Sequence, residues 1–312
     1  MNKQRLFIFA NDAASANVTM AYAVLYEKDY SHIFAYPQNE ALEIYQQHIP
    51  QYIQKLPDKL NFLPKDVVVT GTSGLNSNYE MSIVKQAKLK GVKEVITIVD
   101  NTVNFKRRFL LDNQIIEKKY VPDEIWVFEY GFKSDILFLN QKIIYKENIY
   151  LQFLQKHYKQ HPPKLQNDFI KKYKHNYLVI LSEYVYELYG LSFGFTEYEF
   201  LEIILQTICE LDLNIPIFLK LHPKEHKNKF NILLRKYSHL NILQDECNIQ
   251  ELIYYSKLVF GINSSVFMEC QIFCKPTYSI QINAKKISIP CYLPKTCIIT
   301  KRKVISKIIS SS

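Results

Sequence analysis

Short runs of apolar, β-favouring residues recur along the whole chain, and each stops at a small or polar step. Arg5-Leu6-Phe7-Ile8-Phe9-Ala10 stops at Asn11-Asp12, and Asp66-Val67-Val68-Val69-Thr70 stops at Gly71-Thr72-Ser73-Gly74. Residues 94–99 stop at Asp100-Asn101, and Tyr177-Leu178-Val179-Ile180-Leu181 stops at Ser182-Glu183. Ile217-Phe218-Leu219-Lys220-Leu221 stops at His222-Pro223, and Leu258-Val259-Phe260-Gly261-Ile262 stops at Asn263-Ser264-Ser265. Apolar runs of this length read as buried strands, and the segments between them read as helices. Helices are expected at 18–26, 39–48, 77–90, 230–237, 249–256 and 266–273, and from Thr196 to about 211. Thr196, with Glu199 three residues on, has the spacing of a capping box. Strands that alternate with helices imply an α/β chain with mostly parallel sheets.

The pattern runs, pauses and restarts. Residues 124–128 and 277–280 are the last strands expected in the two halves. Residues 141–170 change character: Ile149 to Tyr158 is amphipathic, His161-Pro162-Pro163 then interrupts, and the segment serves as the connection between halves. Two domains follow, 1–150 and 151–312, each near the usual domain size. The tail from Lys301 is basic, then serine-rich, and is expected to fray or to lie on an anionic surface.

Hydrophobic residues make up 48% and charged residues 22%, so a full core is expected. Seven glycines and twelve prolines exclude a linker-rich or collagen-like chain. The formal net charge of +9 suits a nucleotide or an acidic membrane surface, or reflects a compositional drift toward lysine. No zinc-finger, RNA-recognition or basic-arm pattern is present, so no nucleic-acid partner is expected. Six cysteines form no C-x-x-C pair and read as buried free thiols of a reducing cytoplasm. No apolar run is long enough to cross a bilayer, and the N-terminus enters a strand directly. The expected location is cytoplasmic, with peripheral membrane contact.

Open parallel sheets bind ligands beyond the carboxyl ends of their strands, which selects the residues at the strand stops. Pro223 ends ladder pairing and holds His222 at the lip of its strand. There His222 either donates to a leaving phosphate or caps its own strand. Ser264 and Ser265 open a helix and offer hydroxyls and backbone N–H groups to an anion, or act as an ordinary N-cap. Ser182, Glu183, Lys220, Pro223 and Asn263 border the same stops, and Glu269 lies one turn further, within reach of ribose hydroxyls. In the first half, Asp12 is a candidate general base or the cap of the next helix. Asp12 is the first choice for the base, with Glu80 and Asp100 as runners-up. Arg107 and Arg108 can fork onto a carboxylate.

Lys220-Leu221-His222-Pro223 followed by Asn263-Ser264-Ser265 resembles the His-Pro and Ser/Thr motifs of bacterial sialyltransferases and polysialyltransferases. The same pair is similar to the nucleotide sites of CDP-glycerol phosphotransferases and Kdo transferases. Asn11 to Asn17, Gly71-Thr72-Ser73 and Asp100 to Phe109 resemble segments of capsule and lipooligosaccharide biosynthesis proteins. The resemblance implies a GT-B fold, two Rossmann-like domains facing a central cleft. It implies an inverting glycosyltransferase that moves a nonulosonic acid (sialic, pseudaminic or legionaminic) from its CMP-activated form to a glycan or glycolipid hydroxyl. No metal or other cofactor is expected. Ser73, Asp100, Asn104 and Arg107 fall in the acceptor-side segments. The acidic Asp/Glu-Asp/Glu-Gly tripeptide of the family is missing, so the base is to be chosen among Asp12, Glu80 and Asp100. That gap also admits a non-catalytic nucleotide-binding partner in a glycan assembly complex.

Overall fold

The computed structural model describes residues 3–73, 77–102, 104–285, 287 and 293–311. Gly74, Val103 and Cys291, used above, lie outside them. The chain forms two compact units, Met1–Lys156 and His157–Ser312.

In the first unit the strands are β1 (Gln4–Ala10), β2 (Tyr30–Pro37), β3 (Val67–Thr70), β4 (Glu94–Ile98), a small antiparallel pair β5 (Leu110–Leu111) and β6 (Gln114–Ile115), β7 (Glu124–Val127) and β8 (Ile143–Tyr145). Its main sheet runs β2-β1-β3-β4-β7-β8, every neighbouring pair parallel. Strands buried on both faces need apolar residues at successive positions, and β3 meets this with Val67, Val68 and Val69, none exposed. The order reverses between β1 and β3, so the crevice of this unit lies beyond Ala10 and Thr70.

In the second unit the strands are β9 (Leu178–Leu181), β10 (Ile217–Lys220), β11 (Ile242–Gln244), β12 (Leu258–Gly261), β13 (Thr277–Ile280) and β14 (Ile298–Ile299). They run β11-β10-β9-β12-β13-β14, all parallel, which is the Rossmann order 3-2-1-4-5-6. The reversal falls between β9 and β12.

The sequence showed neither β5, β6 nor β8 in the first unit, and it did not show β14 in the second. β8 and β14 are edge strands of three and two residues, too short to give a periodic signal. β8 and the helix Ile149–Gln160 occupy part of the segment read as a connection. The tail is also corrected: Arg302–Ser311 is a helix, with Ile305 and Ile309 buried in the second unit's core. Arg302 pairs with Glu210 at 2.6 Å, fastening this helix to Glu197–Glu210. The Thr196 capping box forms as read, with the Glu199 N–H donating to the Thr196 hydroxyl and the Thr196 N–H to the Glu199 carboxylate. Of the described cysteines only Cys270 is buried; Cys209, Cys247 and Cys297 are half-buried, and Cys274 is exposed.

Candidate functional site

The second unit gathers its strand-end residues at the β9–β12 switch point. Glu183 follows β9 and reaches across to β12, where its Oε1 accepts the backbone N–H groups of Ile262 at 2.7 Å and Asn263 at 2.6 Å. The carboxylate thus fixes the turn that presents Asn263, Ser264 and Ser265. Burial pushes the Glu183 carboxyl up to about 7, although both N–H groups favour its charged form. Ser264 Oγ accepts the Val266 N–H at 3.3 Å, and the helix that follows spans Phe267–Ile272. Asn263 and Ser265 are exposed and Ser264 half-buried, whereas Glu269 is buried. Gly261 is required by packing: a Cβ there would meet the Phe267 ring at 2.8 Å.

His222 and Pro223 leave β10 beside β9. The Glu225 carboxylate closes this turn, accepting the His222 N–H at 2.8 Å and the Ser182 hydroxyl at 2.9 Å. Its charge is met by Lys229 at 2.6 Å, which also pairs with Glu187 and Glu197 and is almost fully buried. The Tyr184 ring lies 6.2 Å from the His222 ring at 25°, and the Lys229 ammonium sits 5.6 Å from the Tyr184 centroid. Burial draws the His222 imidazole below its usual range, with Glu225 opposing. Its Nδ1 accepts the Lys224 N–H at 3.1 Å. A neutral ring with Nδ1 accepting carries its proton on Nε2, which leaves Nε2–H as a donor. Lys220 ends β10, half-buried, on the same lip.

Sequence reading missed Glu225 and Lys229. An i,i+4 Glu–Lys pair is common on helix surfaces, and their burial behind the His-Pro turn was the signal that sequence lacks.

The first unit gathers a second set at the β1–β3 switch point. Asp12 caps the helix Ala13–Leu25, its Oδ1 accepting the Ser15 N–H at 2.9 Å. Glu80 is buried and bound from three sides: the Ser73 hydroxyl at 2.6 Å, the Asn11 N–H at 3.0 Å and the Ser15 hydroxyl at 3.3 Å. Burial raises its carboxyl, with the Asp12 charge adding to the rise. Asp100 pairs with Arg108 at 2.6 Å, and Arg108 also donates to the Thr72 hydroxyl at 3.0 Å and to Asn101 Oδ1 at 2.9 Å. Burial raises Asp100, Arg108 opposes, and Asp12 again adds. The three candidate carboxylates are therefore electrostatic neighbours. Arg107 and Asn104 are exposed, and Arg108 is the arginine inside this network. Among the described residues no three His, Cys, Asp or Glu side chains gather in a metal-holding group, and no helix is long and apolar enough to cross a membrane.

No protein-family model and no curated protein matches the chain. Solved structures do match in fold. The UDP-GlcNAc 2-epimerase of Methanocaldococcus jannaschii is similar at a TM-score of 0.58 and 13% identity, over 98% of this chain and 92% of that one. S. aureus MnaA, solved with UDP, is similar at 0.55 and 10% identity, over 99% and 87%. Anabaena HepE, solved with UDP-glucose, is similar at 0.53 and 10% identity, over 98% and 89%. The chain has this fold, α/β of the GT-B type with two Rossmann-like units. The likeness reaches the fold and stops there; no sialyltransferase stands among these structures.

Proposed function

We propose that the chain is an enzyme acting on a nucleotide-activated sugar, with the nucleotide held at the carboxyl ends of β9, β10 and β12. The observation that carries this reading is the placement of His222, Glu183 and the Asn263-Ser264-Ser265 turn at the carboxyl ends of three adjacent strands, β10, β9 and β12, of a Rossmann sheet. The nucleotide phosphate takes the Nε2–H of His222 and the hydroxyls of Ser264 and Ser265. As the glycosidic bond breaks, negative charge grows on that phosphate, and donors already in place lower the barrier. A neutral imidazole that donates through Nε2 suits this task.

The donor we propose is a CMP-activated nonulosonic acid, passed to a glycan or glycolipid hydroxyl in one displacement that inverts the anomeric carbon. Asp12 is the base. Glu80 is bound by two hydroxyls and a backbone N–H, and Asp100 is paired to Arg108, which suits both to holding the loops around Asp12. No divalent cation is required. Peripheral contact with an anionic membrane fits the net charge of +9.

A second reading is a UDP-sugar enzyme of the epimerase kind. It is favoured by the similar structures solved with UDP and UDP-glucose. The two readings separate in one assay: purified protein in EDTA is given CMP-sialic acid or UDP-GlcNAc with a panel of glycan acceptors. CMP release with a sialylated product supports the first. Conversion of UDP-GlcNAc to its 2-epimer supports the second and overturns the first.

A further inference from the structure

The opposite end of the second unit carries a cavity of about 360 Å³. Its lining includes Lys174 and His175, which precede β9, Tyr254 and Tyr255, which precede β12, and Phe273 and Lys275, which precede β13. The strands are parallel, so these residues lie at the amino ends of the sheet, away from His222. The cavity joins two ammonium groups and an imidazole to three aromatic rings. The Lys174 Nζ lies 4.9 Å from the Tyr255 centroid, and the Lys275 Nζ lies 5.7 Å from that of Tyr254. Lys275 also donates to the Ser256 carbonyl at 3.2 Å, which fixes the position of its amine. The charge of Glu251 reaches Tyr255, and its carboxylate is engaged by the N–H groups of Gln166 and Asn167. His175 is exposed, and slight desolvation together with the charges of Lys275 and Lys174 lowers its imidazole. The His175 backbone, at φ 59°, lies in the left-handed region.

We propose that this cavity is a second ligand site, which takes a phosphomonoester carrying a planar ring. The phosphate is met by Lys174, His175 and Lys275, and the ring packs on Tyr254, Tyr255 and Phe273. Ammonium groups favour phosphate as point charges, and tyrosine faces hold a planar ring. The site is independent of the nucleotide proposed at the other end of the sheet.

The test uses phenyl phosphate as the probe, titrated into the full-length protein by calorimetry, with inorganic phosphate and phenol as its two halves. The expected result is saturable binding of phenyl phosphate, weaker binding of either half, and a rise in the His175 pKa on binding, read by NMR. Lys174→Gln and Lys275→Gln are each expected to weaken binding about tenfold, the loss of one charge-assisted hydrogen bond. Lys174 is exposed, so its variant should fold even if that of Lys275 does not. His175→Asn keeps a residue tolerant of the left-handed backbone and removes the NMR signal. His222→Ala should leave binding unchanged. Absence of saturable binding, equal affinity in Lys174→Gln, or loss of binding in His222→Ala would each overturn the proposal.

Discussion

Glu183 and Asn263 belong to different strand ends, yet the Glu183 carboxylate accepts the Asn263 N–H at 2.6 Å and so ties the end of β9 to the Ser264-Ser265 turn. This carboxyl is raised from 4.5 to about 7 by burial. The folded protein therefore binds its proton more tightly than the unfolded chain does. The stability it contributes is full below about 4.5 and is lost as pH rises toward 7. The size of that loss is on the order of 3 kcal/mol. In Glu183→Gln the amide oxygen still accepts both N–H groups, so the decline between pH 4.5 and 7 should flatten. Urea unfolding across this range checks it.

Lys229 stands among Glu187, Glu197 and Glu225 with its side chain 3% exposed. Lys229→Ala leaves these carboxylates facing one another in a poorly hydrated site. A loss of about 3–5 kcal/mol is expected, as for other broken buried pairs. The loss should shrink at low pH as the carboxylates take protons. Denaturant midpoints at pH 5 and pH 8 measure the difference.

Gly71 and Ser15 set the spacing at the first unit's switch point. A Cβ on Gly71 would lie 2.3 Å from the Ser15 Cβ and 2.7 Å from its Cα. The clash involves the helix backbone, so it cannot be relieved by a rotamer change. Gly71→Ala should destabilise the protein by about 3 kcal/mol, visible as a lower thermal midpoint. The Gln4–Ala10 strand and its helix should lose amide-exchange protection first.

Much of this was legible in the sequence. Strands such as Val67–Thr70 and Leu258–Gly261 are continuous apolar runs, and Thr196 with Glu199 fixes a helix start by local chemistry. The strand-end position of Asp12, His222, Ser264 and Glu183 follows from the same pattern. What sequence does not show is distance. Ile298–Ile299 becomes a strand only because β13 is beside it, and the tail becomes a helix because Ile305 and Ile309 find the core. Arg108 and Arg107 are indistinguishable as neighbours in a sequence, and only the fold brings Arg108 to Asp100. Glu225 looks like a surface charge until it is seen closing the His222 turn.

The first unit's carboxylates are proposed to have different tasks. Asp12→Asn keeps an oxygen for the Ser15 N–H and should fold normally, while transfer falls by about 100-fold or more, the usual contribution of a general base. Glu80→Gln should cost stability and transfer together, because Glu80 joins Ser73, Ser15 and Asn11. A normal rate in Asp12→Asn would remove Asp12 as the base. Steady-state rates with thermal midpoints on the same preparations make the comparison.

The most direct measurement is nucleotide binding by calorimetry, comparing CMP, CDP, UMP and UDP in EDTA, on the wild type and on His222→Ala. CMP is expected to bind most tightly, and His222→Ala to weaken it about tenfold or more, by loss of a charge-assisted hydrogen bond. A preference for UDP would turn the reading to the epimerase kind. Absence of binding by all four, or equal binding in His222→Ala, would contradict the claim that β9, β10 and β12 hold a nucleotide at their carboxyl ends.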